Sequence, residues 1–327
     1  MRILYIGTPQ NHELYLKGHN PSHWMYGVEE MAKDGHDVIF ESETSGKFDD
    51  LKLIGKYKPD MIYIPNMNLH THVVTLVMRS SGLLRTPIYG VLHHAPRQKG
   101  LKKLLYKLMF GGIDCLFTLS DLTRKITIEG GYMKPENMIR LDWGPDMDFY
   151  KLYNDKVTDE GFFISTGKEC RDFDLLIEAF KIAGAPLKIM TAKSHGSYNY
   201  EYLEEKCKDI PNIEVVIQEN TGAVYPGMCE QMNKALALVC PLKLKDITYN
   251  VGLSTVLDAE GLGKQMIITK NPFHSAERIA PFYAVETVDE WVKAIKEVQK
   301  RNRPAIKPFY TMDHCYEQMR EFINRIG

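Results

Sequence analysis

Two stretches in the second half of the chain carry side chains suited to gripping an anion. The first is Gly161-Phe-Phe-Ile-Ser-Thr-Gly-Lys-Glu-Cys-Arg171, an apolar strand running into a loop that bears Gly167, Lys168 and Arg171. The second opens with the apolar segment Ala235–Cys240, passes through the polar loop Asp246-Ile-Thr-Tyr-Asn-Val-Gly252, and enters a short helix before the apolar run Gln265–Thr269. Ser254 or Thr255 is placed to cap that helix and Gly263 to end it, about three turns later. A strand, a loop and a helix start at the carboxyl edge of a parallel sheet present backbone N–H groups and the positive end of the helix dipole, an arrangement that binds phosphate. Where a phosphate is the leaving group, charge accumulates on it as the bond breaks, and prepositioned cations and N–H donors lower that barrier. Each charge-assisted hydrogen bond contributes about 1.5–3 kcal/mol. Lysine and arginine on a surface loop are more often simply solvated, so these two need a second reason to be given this chemistry.

A second candidate lies in the first half, where the strand Thr86–Leu92 ends at His93-His94. Open α/β sheets keep their ligands at the carboxyl ends of their strands, which gives one or both histidines a functional reading against that of a satisfied cap or core residue. A nicotinamide site is excluded: no Gly-x-Gly-x-x-Gly follows the first strand, Arg2–Gly7.

The elements that must position these residues alternate between strand and helix. A length of 327 residues predicts about two domains. The 44% apolar and 25% charged content is that of an ordinary soluble protein, and the net charge of −1 excludes a globally basic nucleic-acid binder. Six scattered cysteines form no Cys-x-x-Cys pair, which fits reduced thiols in a cytosolic enzyme rather than a zinc site or disulfide scaffold. The N-terminal apolar run is too short for a signal peptide, and no apolar run approaches the length of a membrane span.

In chain order, a strand at Arg2–Gly7, a long polar loop Thr8–Pro21, a helix from Ser22 to Lys33 and a strand at His36–Phe40 make a β-α-β unit. Strands follow at Pro59–Pro65, Thr86–Leu92, Ile113–Ser120 and Asn137–Leu141. Lys151–Glu160 reads as a linker. The second half repeats the alternation, with a strand at Pro186–Met190 that leads to Thr191 and Lys193. The chain ends in a helix, Asp313–Ile326, whose Tyr316, Met319, Phe322, Ile323 and Ile326 share one face.

Gly252-Leu-Ser-Thr-Val-Leu-Asp-Ala-Glu-Gly-Leu-Gly-Lys-Gln-Met-Ile267 resembles the donor-binding segment of the retaining glycosyltransferases of the GT-B fold, the large "family 4" type. There a Gly-rich turn precedes a helix carrying Leu-Glu-Ala-Met-Ala-x-Gly-x-Pro-Val-Ile. Leu257-Asp258-Ala259 stands for Leu-Glu-Ala, and Gly263 for the helix-ending glycine. Of the family's two donor-binding glutamates, seven residues apart, the second matches Asp258 and the first falls near Asn250; both are replaced here. Gly161–Phe180 is similar to the family's Gly-Arg … Lys-Gly-x-Asp-x-Leu-Ile-Glu-Ala-Phe, which places Lys168 and Arg171 on the donor diphosphate. Gly35-His36-Asp37-Val38 resembles the family's Gly-His-x-Val, whereas the Gly-Gly pair usual in the first loop is absent and Gly18 is its nearest substitute. The segment Trp143–Tyr150 resembles the one that closes the family's N-terminal domain, so Asp146-x-Asp148 is structural rather than a metal site.

The resemblance implies an α/β protein of GT-B type: two Rossmann-like domains facing across a cleft, an acceptor domain at residues 1–152, a donor domain at 153–310, and a terminal helix at 311–327 that crosses back to the first. It implies a retaining glycosyltransferase that moves a sugar from a UDP- or GDP-linked donor to a glycan or lipid-linked acceptor, in bacterial surface polysaccharide or glycoconjugate synthesis. Gly167, Lys168, Arg171, Thr191, Lys193, Asn250, Gly252, Ser254, Thr255 and Asp258 would bind the donor, with His93 or His94 facing the transferred sugar. No metal, no cofactor and no nucleic-acid partner is implied, the sugar nucleotide being a substrate. Two alternatives stand beside this reading: a weakly active or non-catalytic sugar-nucleotide or glycan binder, and a nucleotide-sugar epimerase.

The span Met61–Ile113 holds no Asp or Glu but has Arg79, Arg85, Arg97, Lys99, Lys102, Lys103 and Lys107. On a helix over Leu101–Phe110, Leu101, Leu104, Leu105, Leu108 and Met109 share one face. That face is expected to pack inward and to leave Lys102, Lys103, Tyr106, Lys107 and Phe110 outward. Such an outward face is either a solvated lysine surface or a contact with an anionic membrane and a lipid-linked acceptor, which would make a cytoplasmic protein peripheral on the inner face of the membrane.

Overall fold

The computed structural model describes residues 1–43, 46–154, 159–218, 224–301 and 304–325. The chain divides into two compact units, one formed by Met1–Lys17, Ser22–Gly144 and Tyr310–Gly327, the other by Gly18–Pro21 and Pro145–Phe309.

The first unit holds a six-stranded parallel sheet built from β1 (Arg2–Gly7), β2 (Asp37–Ser42), β3 (Met61–Ile64), β4 (Ile88–Val91), β5 (Cys115–Thr118) and β6 (Met138–Arg140), in the order β2-β1-β3-β4-β5-β6. All four residues of β3, β4 and β5 are buried, as expected of strands covered on both faces by crossover helices. Leu4 pairs with Ile62 and Ile62 with Ile88, so the register lines up aliphatic side chains across the middle of the sheet. The helix Met312–Ile323 belongs to this unit and buries Met312, Cys315, Tyr316, Met319 and Ile323. Tyr316 donates to Asp34 at 2.9 Å, and Gln318 donates to Asp142 at 2.8 Å.

Two local expectations fail near the N-terminus. Thr8–Pro21 is not only loop: Pro9–Leu16 is a helix with proline in its first turn and no buried residue, which is why it left no apolar periodicity to read. Ser22–Lys33 is not one helix but a 3-10 turn at Ser22–Met25 and a helix at Val28–Lys33. Gly27 separates them with φ +90°, and a Cβ there would meet Met319 Sδ at 2.5 Å, so the packing of the terminal helix dictates the break.

The second unit holds another six-stranded sheet, made of β7 (Phe163–Thr166), β8 (Leu187–Ala192), β11 (Ile213–Gln218), β12 (Ala237–Cys240), β13 (Gln265–Thr269) and β14 (Tyr283–Val285), in the order β11-β8-β7-β12-β13-β14. The short hairpin of β9 (Ser194–His195) and β10 (Tyr198–Asn199) follows β8. β7 and β12 are parallel, but the order in which strands are added reverses between them, β8 and β11 lying on one side and β13 and β14 on the other; this is the topological switch point at which doubly wound sheets open a crevice beyond their carboxyl ends. Its core packs Phe163, Phe180, Ile189, Val239, Ile267 and Trp291 together. The expected linker Lys151–Glu160 begins inside the helix Met147–Asn154, and residues 155–158 lie outside the described residues.

Candidate functional site

The loops that leave β7 and β12 meet at this switch point. Arg171 forms an isolated antiparallel bridge with Leu242, Asp172 N donates to Pro241 O at 3.1 Å, and Lys243 N donates to Cys170 O at 3.0 Å. The loop from β7 is made possible by Gly167, whose φ is +92° and whose Cβ would lie 2.4 Å from Arg171 Nη2. Asp172 ends the loop by capping the helix Phe173–Ala183, its side chain accepting from Leu175 N at 3.2 Å.

Arg171 is 4% exposed, and its guanidinium donates to Thr166 O (3.2 Å), Glu169 O (2.9 Å) and Thr255 Oγ1 (3.1 Å). These bonds use three of the five N–H donors of the fork. Among the described residues the other two make no hydrogen bond, and the third bond brings the guanidinium against the first turn of the helix Leu253–Leu262. Lys168, half-buried, sits three residues earlier on the same loop, and Tyr200 donates to its carbonyl at 2.8 Å.

That helix starts two or three residues earlier than its hydroxyl residues suggest. Gly252, with φ +87°, occupies the cap position, and Ser254 and Thr255 fall in the first turn with no side-chain cap bond. Thr255 is drawn instead to Arg171, while Gly263 ends the helix in the left-handed conformation as expected. A Cβ on Gly252 would lie 3.1 Å from Cys240 Sγ, so the turn is seated directly on the end of β12.

The turn itself is held from β13's side. Asn271 Nδ2 donates to the carbonyls of Tyr249 and Val251, each at 3.0 Å, and His274 Nε2 donates to Val251 O at 3.0 Å. Burial lowers the His274 pKa to about 4, so the ring is neutral, with its proton fixed on Nε2 by the carbonyls it faces.

Asp258 stands one turn beyond Thr255 on the same face of the helix. Its Oδ1 accepts from Tyr150 OH at 2.6 Å and from Tyr225 OH, and the two hydroxyls are themselves 2.7 Å apart. Among the described residues Oδ2 takes no hydrogen bond. Burial pushes the Asp258 pKa up to about 6 against the opposing pull of the two hydroxyls and Arg171. Burial raises both tyrosines well above their ordinary range as well, so they stay neutral donors. Neither tyrosine was legible as a partner: Tyr150 lies in the segment read only as an interdomain exit, and nothing in sequence spacing links either to Asp258.

The remaining predicted donor residues divide. Thr191 is buried and donates to Gly167 O at 3.0 Å, which holds the loop rather than facing outward. Lys193 is exposed and paired with Glu201 at 3.6 Å. Asn250 is buried, and its carbonyl accepts from Leu253 N at 3.2 Å. Asp146 caps its own turn by accepting from Phe149 N at 3.1 Å. Among the described residues no group of three histidine, cysteine or carboxylate side chains is placed to hold a metal ion.

In the first unit, His93 is half-buried just beyond β4, with Nε2 3.3 Å from Pro65 O and its ring 5.1 Å from that of Tyr26, whereas His94 is exposed. The lysine-rich helix extends over Gly100–Phe110 and is turned opposite to expectation. Met109 and Phe110 are buried, Tyr106 is half-buried with its OH 2.9 Å from His70 Nε2, and the four leucines face outward. Lys103 lies 5.7 Å from the centre of the Tyr132 ring. Among the described residues no helix is long and apolar enough to cross a membrane.

No protein-family model and no curated protein matches the chain in sequence. Solved structures match it in fold. A glycosyltransferase from Rickettsia africae ESF-5 superposes with a TM-score of 0.66 at 10% identity, over 99% of this chain and 98% of that one. An α-glucosyltransferase in complex with UDP and a 13-mer DNA gives 0.62 at 13% identity, over 99% of each chain. The UDP-GlcNAc 2-epimerase from Neisseria meningitidis, bound to UDP-GlcNAc, gives 0.59 at 9% identity, over 99% of this chain and 100% of that one. Likeness along the full length of such chains, together with two parallel six-stranded α/β sheets, establishes that this protein has a GT-B-like fold.

Proposed function

We propose that the protein is a sugar-nucleotide enzyme whose second unit grips a nucleoside diphosphate, and that it is a retaining glycosyltransferase acting on a UDP- or GDP-linked donor. The observation that carries this reading is the placement of the Arg171 guanidinium against the first turn of the helix Leu253–Leu262, at the switch point of the second sheet. A cation and a helix tip converging there suit a diphosphate whose charge grows as the glycosidic bond breaks. Lys168 adds the second cation. Asp258 Oδ2 accepts from a ribose or sugar hydroxyl, with Oδ1 held by the two tyrosines. In transfer the anomeric C–O bond breaks, the diphosphate oxygen takes the proton of the incoming hydroxyl, and that hydroxyl bonds to the same face. The acceptor is a glycan or lipid-linked saccharide, and one of His93 and His94 is the first unit's candidate for contact with the transferred sugar.

A second reading, epimerisation of the free sugar nucleotide, is favoured by one observation, the full-length likeness to a UDP-GlcNAc 2-epimerase. A third, binding without turnover, draws on the replacement of both signature glutamates by Asn250 and Asp258. Thermal unfolding with UDP, GDP and a panel of their sugars, followed by NMR of each mixture, separates the three. A transferase liberates nucleoside diphosphate when an acceptor is supplied, an epimerase converts the sugar without any acceptor, and a binder is stabilised by one ligand and changes none. Failure of every nucleotide to stabilise the protein would sink the whole assignment.

A further inference from the structure

The helix Gly100–Phe110 presents to solvent the face that its composition says should be buried. Leu101, Leu104, Leu105 and Leu108 are 87%, 67%, 47% and 44% exposed. They cover an arc about 100° wide, with Lys102 on one flank and Lys107 on the other. Its opposite side is anchored: Met109 and Phe110 are buried, and Tyr106 packs on the first unit's core. The leucine face is therefore fixed outward.

We propose that this face is a docking surface for an anionic lipid bilayer, into whose interface the four leucines insert while Lys102 and Lys107 reach the headgroups. Charge complementarity selects this occupant. No carboxylate occurs from Met61 to Ile113, and among the described residues only Arg79 of the seven cations in that span has a carboxylate partner, Asp114 at 2.5 Å. Arg97, Lys99, Lys102 and Lys107 are all exposed. Leucines flanked on both sides by lysines match an interface with an apolar interior and an anionic rim, the lysine stems lying along the apolar layer while their ammonium groups stay wet. A protein interface tends to exclude lysine from its centre, and a nucleic-acid surface has no use for a leucine stripe. The inference does not depend on the donor site, which lies in the other unit.

Flotation of the full chain with vesicles tests it, using phosphatidylcholine alone and phosphatidylcholine mixed with phosphatidylglycerol. The wild type is expected to float with the anionic vesicles, weakly with the neutral ones, and less as salt rises. The pair Leu104→Ser with Leu108→Ser, and the pair Lys102→Glu with Lys107→Glu, should each lower the bound fraction about tenfold or more. Both pairs should unfold at the wild-type temperature, since the altered side chains are exposed. Absence of wild-type flotation, or serine variants that float as well as the wild type, overturns the proposal. So does light scattering that shows the wild type as a dimer and the serine pair as a monomer without vesicle binding, or duplex DNA bound equally by wild type and serine pair while vesicles are not.

Discussion

At the scale of single residues, Arg171 combines two tasks that lysine cannot share. Its planar fork spans Thr166 O, Glu169 O and Thr255 Oγ1 at once and, in the proposed site, would still have N–H groups for the diphosphate. Arg171→Lys keeps the charge and loses the span, so UDP affinity by calorimetry should fall by more than about tenfold, whereas Lys168→Ala should cost less; an unchanged affinity in Arg171→Lys would place the diphosphate elsewhere. Gly167→Ala should act through the same group, since its Cβ would sit 2.4 Å from Nη2 at a φ of +92°. Asp258 makes a prediction of opposite sign to most carboxylates. Its folded pKa, about 6, is above the ordinary 3.8, so the native state retains a proton that the unfolded chain has released. Stability contributed by this proton is present below pH 4, is lost as pH rises through pH 4–6, and then stays constant, a change on the order of 3 kcal/mol. Asp258→Asn cannot titrate, so urea denaturation from pH 4 to 7 should show the variant gaining on the wild type by that order; parallel curves would refute the buried-proton account.

At the scale of elements, the turn Tyr249–Gly252 is a suspended structure, and what suspends it lies beyond β13. Three hydrogen bonds from Asn271 and His274 hold the carbonyls of Tyr249 and Val251. Asn271→Ala leaves the Tyr249 carbonyl to find another partner and Val251 O with His274 alone, at a cost of about 1–3 kcal/mol in stability. It should also weaken UDP binding, because the helix tip loses its fixed position, and the rescue expected of Asn271→Asp is poor since a carboxylate cannot donate. An alanine variant that melts lower yet binds UDP as the wild type does would limit the clamp to folding. How far such elements are legible depends on which force sets them. The end of the helix at Gly263 is local chemistry, a left-handed cap, and is readable from one glycine. Its start is not local: Gly252 caps it where Cys240 and Leu242 crowd the turn, and Thr255 is drawn to Arg171, so the hydroxyls of Ser254 and Thr255 do not mark the cap. In Gly100–Phe110 the periodicity was correct and the orientation reversed. A helical period shows that two faces differ, but which faces inward is set by what they meet, here a core that takes Tyr106, Met109 and Phe110.

At the scale of the whole molecule, the alternation of short apolar runs with amphipathic segments was enough to specify parallel sheets, because strands buried on both faces must be continuous apolar stretches. Strand order was not written in any one segment. It emerges from how crossovers close, and it places the reversal between β7 and β12 next to the two motifs read as anion-binding. Tyr150 and Tyr225 were invisible for a related reason: they reach Asp258 through tertiary packing from helices far away in sequence. The terminal helix gives the last test of this organisation. Met312–Ile323 is the last helix among the described residues, yet it buries five side chains in the unit that begins at Met1, with Met319 against Gly27 and Tyr316 on Asp34. Losing that much apolar burial costs on the order of 5 kcal/mol or more, comparable to the whole stability of many domains. A chain ending at Lys307 should therefore lose or strongly lower the calorimetric transition of the first unit, while the transition of the second persists and is still raised by UDP. If both transitions fell together and UDP protection vanished with them, the two units would have to be regarded as one cooperative structure, and the donor site as dependent on both.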